Sequence, residues 1–114
     1  MPDHSKMPMP SNHSEAILML AFASVANNNF QHGKILVTSG VRDICEPSWA
    51  WHCIARHVAG DWGVLDEDDI QANHAAMATG DRIFSVYVSD SGDRVYVITE
   101  ADRSVTTVLL SEEY

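Results

Sequence analysis

The stretch RIFSVYVSDSGDRVYVITEADRSVTTVLL, residues 82–110, decides the fold. It holds three runs rich in β-branched and aromatic residues, Arg82 to Ser89, Arg94 to Thr99 and Ser104 to Leu110. The links Asp90-Ser91-Gly92-Asp93 and Glu100-Ala101-Asp102-Arg103 are short enough for hairpins. Strands joined in this way form an antiparallel meander. Side chains alternate along each strand, so Val105, Thr107 and Leu109 share one face, and Thr106, Val108 and Leu110 the other.

Upstream of this stretch the periodicity becomes helical. Trp51, Ile54, Ala55 and Val58 follow i, i+3, i+4, i+7 spacing, with Ser48 as the expected cap and Gly60 as the stop. Asp66 opens a further helix whose first turn is crowded with acids (Asp66, Glu67, Asp68, Asp69) and whose end is Gly80; Ile70, His74 and Met77 mark its expected face. Ser39 is the expected cap of a short helical turn through Cys45, before Pro47. Lys34 to Thr38, between Gly33 and Gly40, reads as a short strand that pairs at an edge. The expected fold class is α+β, with two or three helices packed on one face of a three- or four-stranded antiparallel β-meander. Residues 33–114 form the expected single domain.

Residues 1–32 read as an N-terminal tail and an apolar helix. The run AILMLAFASVA (16–26) is too short to span a bilayer. It has the look of a secretory core ending in Ser24-Val25-Ala26, but Lys6 is opposed by Asp3 and Glu15, so an added helix capped by Ser11 or Ser14 is the expectation.

The 114 residues carry seven Lys and Arg against sixteen Asp and Glu, a net charge of −9. That argues against an ordinary duplex-DNA or RNA surface binder and against a membrane-surface helix, all of which draw affinity from cations, and leaves RNA as a partner only for a ribonuclease-like reading. Two cysteines, Cys45 and Cys53, are too few for a disulfide scaffold; reduced thiols suit a cytoplasmic protein. No cofactor is expected, because GxGxxG, GxxxxGK[ST] and GxSxG motifs are all lacking. No metal is expected either: His52, Cys53 and His57 near Cys45 form no zinc pattern.

The chemistry-bearing residues gather at element ends. His57 can exchange a proton near neutral pH. Arg103 and Arg82 can clamp a phosphate or carboxylate. Thr106 or Thr107 can orient a phosphate oxygen. Such a set suffices for metal-free RNA cleavage, in which the 2′-hydroxyl is the nucleophile. Asp61, Trp62, Glu100 and Asp102 are the candidate binding residues. An active centre requires His57, Asp61, Arg82, Arg103 and Thr106 or Thr107 to converge on one pocket.

GKILVTSG (33–40), ARHVAGDWGVLDEDDIQAN (55–73), GDRIFSVY (80–87) and VITEADRSVTTVLLSEEY (97–114) resemble a family of small bacterial proteins carried by plasmids, integrative elements and prophages. Members bear labels such as "plasmid-related protein" or "type I restriction endonuclease subunit M". Ser39 and Ser111 stand where that family tends to have Pro. The resemblance implies a mobile-element setting and no defined activity. The methyltransferase label does not fit a chain with no glycine-rich S-adenosylmethionine loop and no Asn-Pro-Pro-Tyr-type motif. The order of elements is also similar to the barnase/EndoU/colicin/RelE-like ribonuclease fold.

Three functions follow as expectations. The first is an acidic interaction or inhibitor module binding a host or defence protein. The second is a ribonuclease-like toxin using His57 and Arg103. The third is a structural homodimer built on 16–26 with Trp49 and Trp51.

Overall fold

β1 (Lys34–Val37) is the point at which the sheet departs from a simple meander. The structure, a computed structural model, describes residues 29–114. The tail, the apolar run 16–26 and its cleavage-like end lie outside the described residues.

β1 is followed by α1 (Ser39–Ile44), α2 (Pro47–Val58), α3 (Glu67–Thr79), β2 (Ile83–Val88), β3 (Arg94–Thr99) and β4 (Val105–Leu110), with a 3-10 turn over Ser111–Glu113. The sheet order is β1-β4-β3-β2. β2, β3 and β4 are antiparallel neighbours, as expected of hairpins. β1 does take an edge, but it runs parallel to β4, with Ile35 opposite Thr106 and Val37 opposite Val108. The sheet is therefore mixed. The helices between β1 and β2 supply the long connection that a parallel pair needs. The α+β class stands.

Local chemistry sets the helix ends. Thr38, not Ser39, caps α1 by accepting from Val41 N–H at 3.3 Å. α2 starts one residue ahead of Ser48, with Pro47 in the first turn and Glu46 as a cap that makes no side-chain bond. Pro's fixed φ and missing N–H suit that position. α3 opens at Asp66 and ends at Gly80 as expected, with Asp66 standing outside the first turn as the cap, accepting from Asp69 N–H at 2.9 Å, and Gly80 at φ 82°.

One face of the sheet is covered. Tyr87, Val95, Val97, Val108 and Leu110 are buried on it, against Val41, Ala50, Trp51, Cys53 and Ile54 of α1 and α2, while Ile83 packs in a second cluster with Trp62 and Ala76. Trp51 is thus a core residue, and partly buried Trp49 packs on the same cluster. The pair forms no open docking patch.

α3 turns a different face inward from the one its sequence suggests. Asn73 and Ala76 are buried, whereas His74 and Met77 are exposed. The reason lies at the outer edge of β2. Asn73 Nδ2 donates to the Phe84 carbonyl at 2.6 Å, and Phe84 N–H donates to Asn73 Oδ1 at 3.0 Å. One side-chain amide replaces a missing strand.

The next edge groups are met by the Trp62–Val64 segment: Val86 N–H donates to the Trp62 carbonyl and Val64 N–H to the Val86 carbonyl. Gly63 makes this approach possible. It sits at φ 75°, and a Cβ there would lie 1.9 Å from the Val86 oxygen.

Candidate functional site

His57 is on the last turn of α2 and points into the protein, where it is completely buried. Its Nδ1 lies 2.6 Å from Ser85 Oγ on β2, and its Nε2 lies 2.9 Å from Thr99 Oγ1 on β3. Thr99 Oγ1 is 2.6 Å from Thr106 Oγ1 on β4, and Thr106 O–H donates to the His32 carbonyl at 2.7 Å. This is a polar thread through three strands, roofed by Phe30 and Trp62, whose rings meet the imidazole edge-on at 5.2 Å and 5.9 Å.

The proton positions along the thread are fixed by counting donors. Thr106 gives its one hydrogen to the carbonyl, so it accepts from Thr99. Thr99 has then spent its hydrogen and accepts from His57, which must carry its proton on Nε2. Nδ1 is left as an acceptor for Ser85 O–H. Every hydrogen bond points the same way, and the imidazole is neutral. Burial, reinforced by His32, lowers the His57 pKa to about 3. Proton exchange with a substrate near neutral pH is closed to this imidazole, so the expected acid/base role is corrected to an internal support. Thr106 belongs to the same support.

Arg103 is engaged elsewhere. Its Nη1 donates to the carbonyls of Asp81 (2.7 Å), Glu100 (3.1 Å) and Ala101 (3.2 Å), and its Nη2 to that of Ala76 (3.0 Å). The Arg103 guanidinium thus ties the last hairpin turn to the end of α3. α3 has no basic residue in its own last turn, so Arg103 provides the cation that favours a helix C-terminus. Its backbone is left-handed at φ 62°. A substrate clamp is not free here.

The remaining candidates are dispersed. Arg82 and Thr107 lie on the opposite face of the sheet from His57, because Arg82 and Phe84 alternate with Ile83 and Ser85, and Thr107 pairs with Ile98. Asp61 is held bidentately by Arg56 at 2.7 and 3.0 Å and accepts from Gly63 N–H; the guanidinium holds its carboxyl below the usual range. Trp62 is buried. Asp102 accepts from Ser104 N–H at 2.9 Å within the exposed turn, and the Ser104 hydroxyl first and its N–H second lower the Asp102 pKa. Glu100 stands 3.6 Å from Arg82. The expected single pocket therefore does not form: the sheet itself divides the set.

The second face of the sheet carries a feature the sequence reading passed over. Phe84, Tyr96, Ile98, Tyr114 and Arg82 line a groove of about 270 Å³. Phe84 and Tyr96 meet edge to face at 4.9 Å, and Tyr96 and Tyr114 at 5.8 Å. Arg82 Nη1 donates to the Tyr114 hydroxyl at 3.2 Å. The sequence did hold a signal: Phe84, Tyr96 and Ile98 are apolar on the face that Ser85 and Val97 do not share, so β2 and β3 are apolar on both sides.

Among the described residues, no group of three or more His, Cys, Asp or Glu is placed to hold a metal ion, and no helix is long and apolar enough to cross a membrane. Cys45 and Cys53 are free thiols; burial pushes Cys53 up to about 12. Comparison with protein-family models, with curated proteins and with solved structures gives no match.

Proposed function

We propose that the chain is a cytoplasmic accessory protein of a mobile genetic element and works by binding, engaging a basic surface of a host or defence protein. The observation that carries this reading is the state of His57: a neutral imidazole with no exposed surface and both nitrogens occupied. With Arg103 held by four carbonyls, the polar residues that suggested catalysis serve the fold, and recognition falls to the surface.

Support for a basic partner comes from the start of α3. Asp66, Glu67, Asp68 and Asp69 are all exposed, and none has an ion-pair partner among the described residues. The carboxylate of Asp66 raises the pKa of Asp69, the mark of like charges crowded together. The helix dipole offsets part of this repulsion. A cationic partner would offset the rest and speed encounter.

The test uses Asp68→Asn and Asp69→Asn, exposed changes that leave the Asp66 cap intact. The full chain is cross-linked in a host strain, and cross-linked peptides are mapped. The expected result is a basic protein joined through 64–71, with capture reduced by both substitutions and by salt. Capture indifferent to charge would overturn the reading. RNA cleavage by purified chain that vanishes in His57→Gln would transfer the assignment to the ribonuclease class.

A further inference from the structure

The helix-free face differs in charge from the rest of the protein. By alternation it carries Lys34 and Leu36 of β1, Arg82, Phe84, Val86 and Val88 along β2, and Arg94, Tyr96, Ile98 and Glu100 along β3. Val105, Thr107 and Leu109 complete it from β4. Six of the seven cations lie among the described residues, and three of those six, Lys34, Arg82 and Arg94, are on this face. Glu100 is the one acidic residue at these positions. At the strand positions of this face the cations thus outnumber the acids three to one in a chain of net charge −9, and the adjoining turn that brings in Tyr114 adds Glu112 and Glu113.

We propose that this face is a platform for a short single-stranded nucleic acid, with one base seated among Phe84, Tyr96 and Tyr114 and a neighbouring phosphate on Arg82. The groove, about 270 Å³, is large enough for one ring system and below the usual range for a drug-sized molecule. Aromatic rings displayed on a sheet suit bases, because every base has a π-face to stack. Arg82 is half-exposed, and its contact with Glu100 is loose at 3.6 Å. Its fork, which here meets only that carboxylate and the Tyr114 hydroxyl, matches phosphate oxygens better than either.

Arg94 stands at the other end of the face, about 20 Å along β3 from the Glu100 position. The two arginines therefore bracket the aromatic groove. A duplex has its bases stacked and paired, out of reach of these rings. The acidic remainder of the molecule favours a short strand over a long polyanion.

The test titrates the full chain into a fluorescein-labelled oligouridylate of about eight nucleotides and reads anisotropy at low salt. A duplex of equal length and a labelled peptide rich in Glu and Tyr are titrated in parallel. Saturable binding is expected with the single strand, and much weaker binding with the other two. Two or three phosphate contacts predict a log–log salt slope of about −1.4 to −2.1.

Arg82→Gln and Tyr114→Ala, both at exposed side chains, are expected to weaken binding about fivefold or more, with unchanged circular dichroism. Glu100→Gln is expected to tighten it, because the carboxylate competes with phosphate for Arg82. The proposal is overturned by no saturable binding up to about 1 mM protein, by variants that bind like the parent, or by a peptide that binds as tightly as the oligonucleotide.

Discussion

His57 donates its Nε2 proton to Thr99 Oγ1 across 2.9 Å, and the direction of that bond follows from where the hydroxyl hydrogens of Thr99 and Thr106 are spent. The imidazole is a fixed tautomer joining α2 to β2 and β3. Truncation by His57→Ala leaves Ser85 and Thr99 without this partner in a buried site and opens a cavity. A loss of about 3–5 kcal/mol is expected in urea unfolding. A loss below about 1 kcal/mol would mean that the thread carries little.

The same burial predicts a pH dependence with a definite sign. The folded pKa is about 3, against an unfolded value of 6.5. Between those values the unfolded chain binds more protons than the folded chain, so stability rises with pH. The contribution of His57 is complete above about pH 6.5 and is lost as pH falls toward 3, at up to about 1.4 kcal/mol per pH unit. Asp61, depressed by Arg56, acts in the same direction at lower pH. Unfolding free energies of the parent and of His57→Gln, compared from pH 7 to pH 4, should converge as pH drops. Nitrogen chemical shifts of His57 should report a neutral Nε2–H ring throughout, and an imidazole that titrates near 6.5 would contradict the burial.

Arg103 separates two effects in one position. Its guanidinium anchors four carbonyls, and its backbone is left-handed at φ 62°. Arg103→Ala loses the anchor and keeps the strained backbone; Arg103→Gly loses the anchor and relieves the strain. Gly is therefore expected to be the more stable of the two by about 1 kcal/mol, with both below the parent. Arg103→Lys, with a point charge in place of a fork, should fall between parent and Ala. Thermal unfolding of the four proteins ranks them.

The three hairpin strands were legible because alternation and short polar links leave few other readings of 82–110. The α3 boundaries were legible too, since Asp66 and Gly80 are strong local signals. The direction of β1 was not: a four-residue strand has no local mark of which neighbour it will join, and that choice depends on the path of α1 to α3. His57 was visible as a titratable group at a helix end. Its fate was set by Ser85, Thr99 and Thr106, hydroxyls that look like ordinary strand residues until three strands bring them together. Phe30, outside the expected domain, supplies part of the seal, and Asn29 N–H, also outside it, donates to the Val58 carbonyl at 2.7 Å.

The inward face of α3 was misread for a related reason. Periodicity placed His74 and Met77 inward by counting apolar surface, yet the demand at that edge is for hydrogen bonds. Phe84 presents both an N–H and a C=O outward from β2, and the Asn73 amide meets both, at 3.0 and 2.6 Å. Asn73→Leu keeps the branching at Cγ and the heavy-atom count and adds apolar surface, so hydrophobicity alone predicts a gain. Two backbone groups left unpaired at a part-buried edge predict the opposite, a loss of about 2–4 kcal/mol. Asn73→Asp retains the acceptor for Phe84 N–H but faces the Phe84 carbonyl with a carboxylate, and should be destabilised at pH 7 with partial recovery at pH 4, where the acid can donate. The uncovered strand edge is also a site for intermolecular pairing. Asn73→Leu should therefore show concentration-dependent association in sedimentation, while the parent at the same concentrations shows none of that increment. If Asn73→Leu is as stable as the parent, the edge is satisfied by something other than this amide.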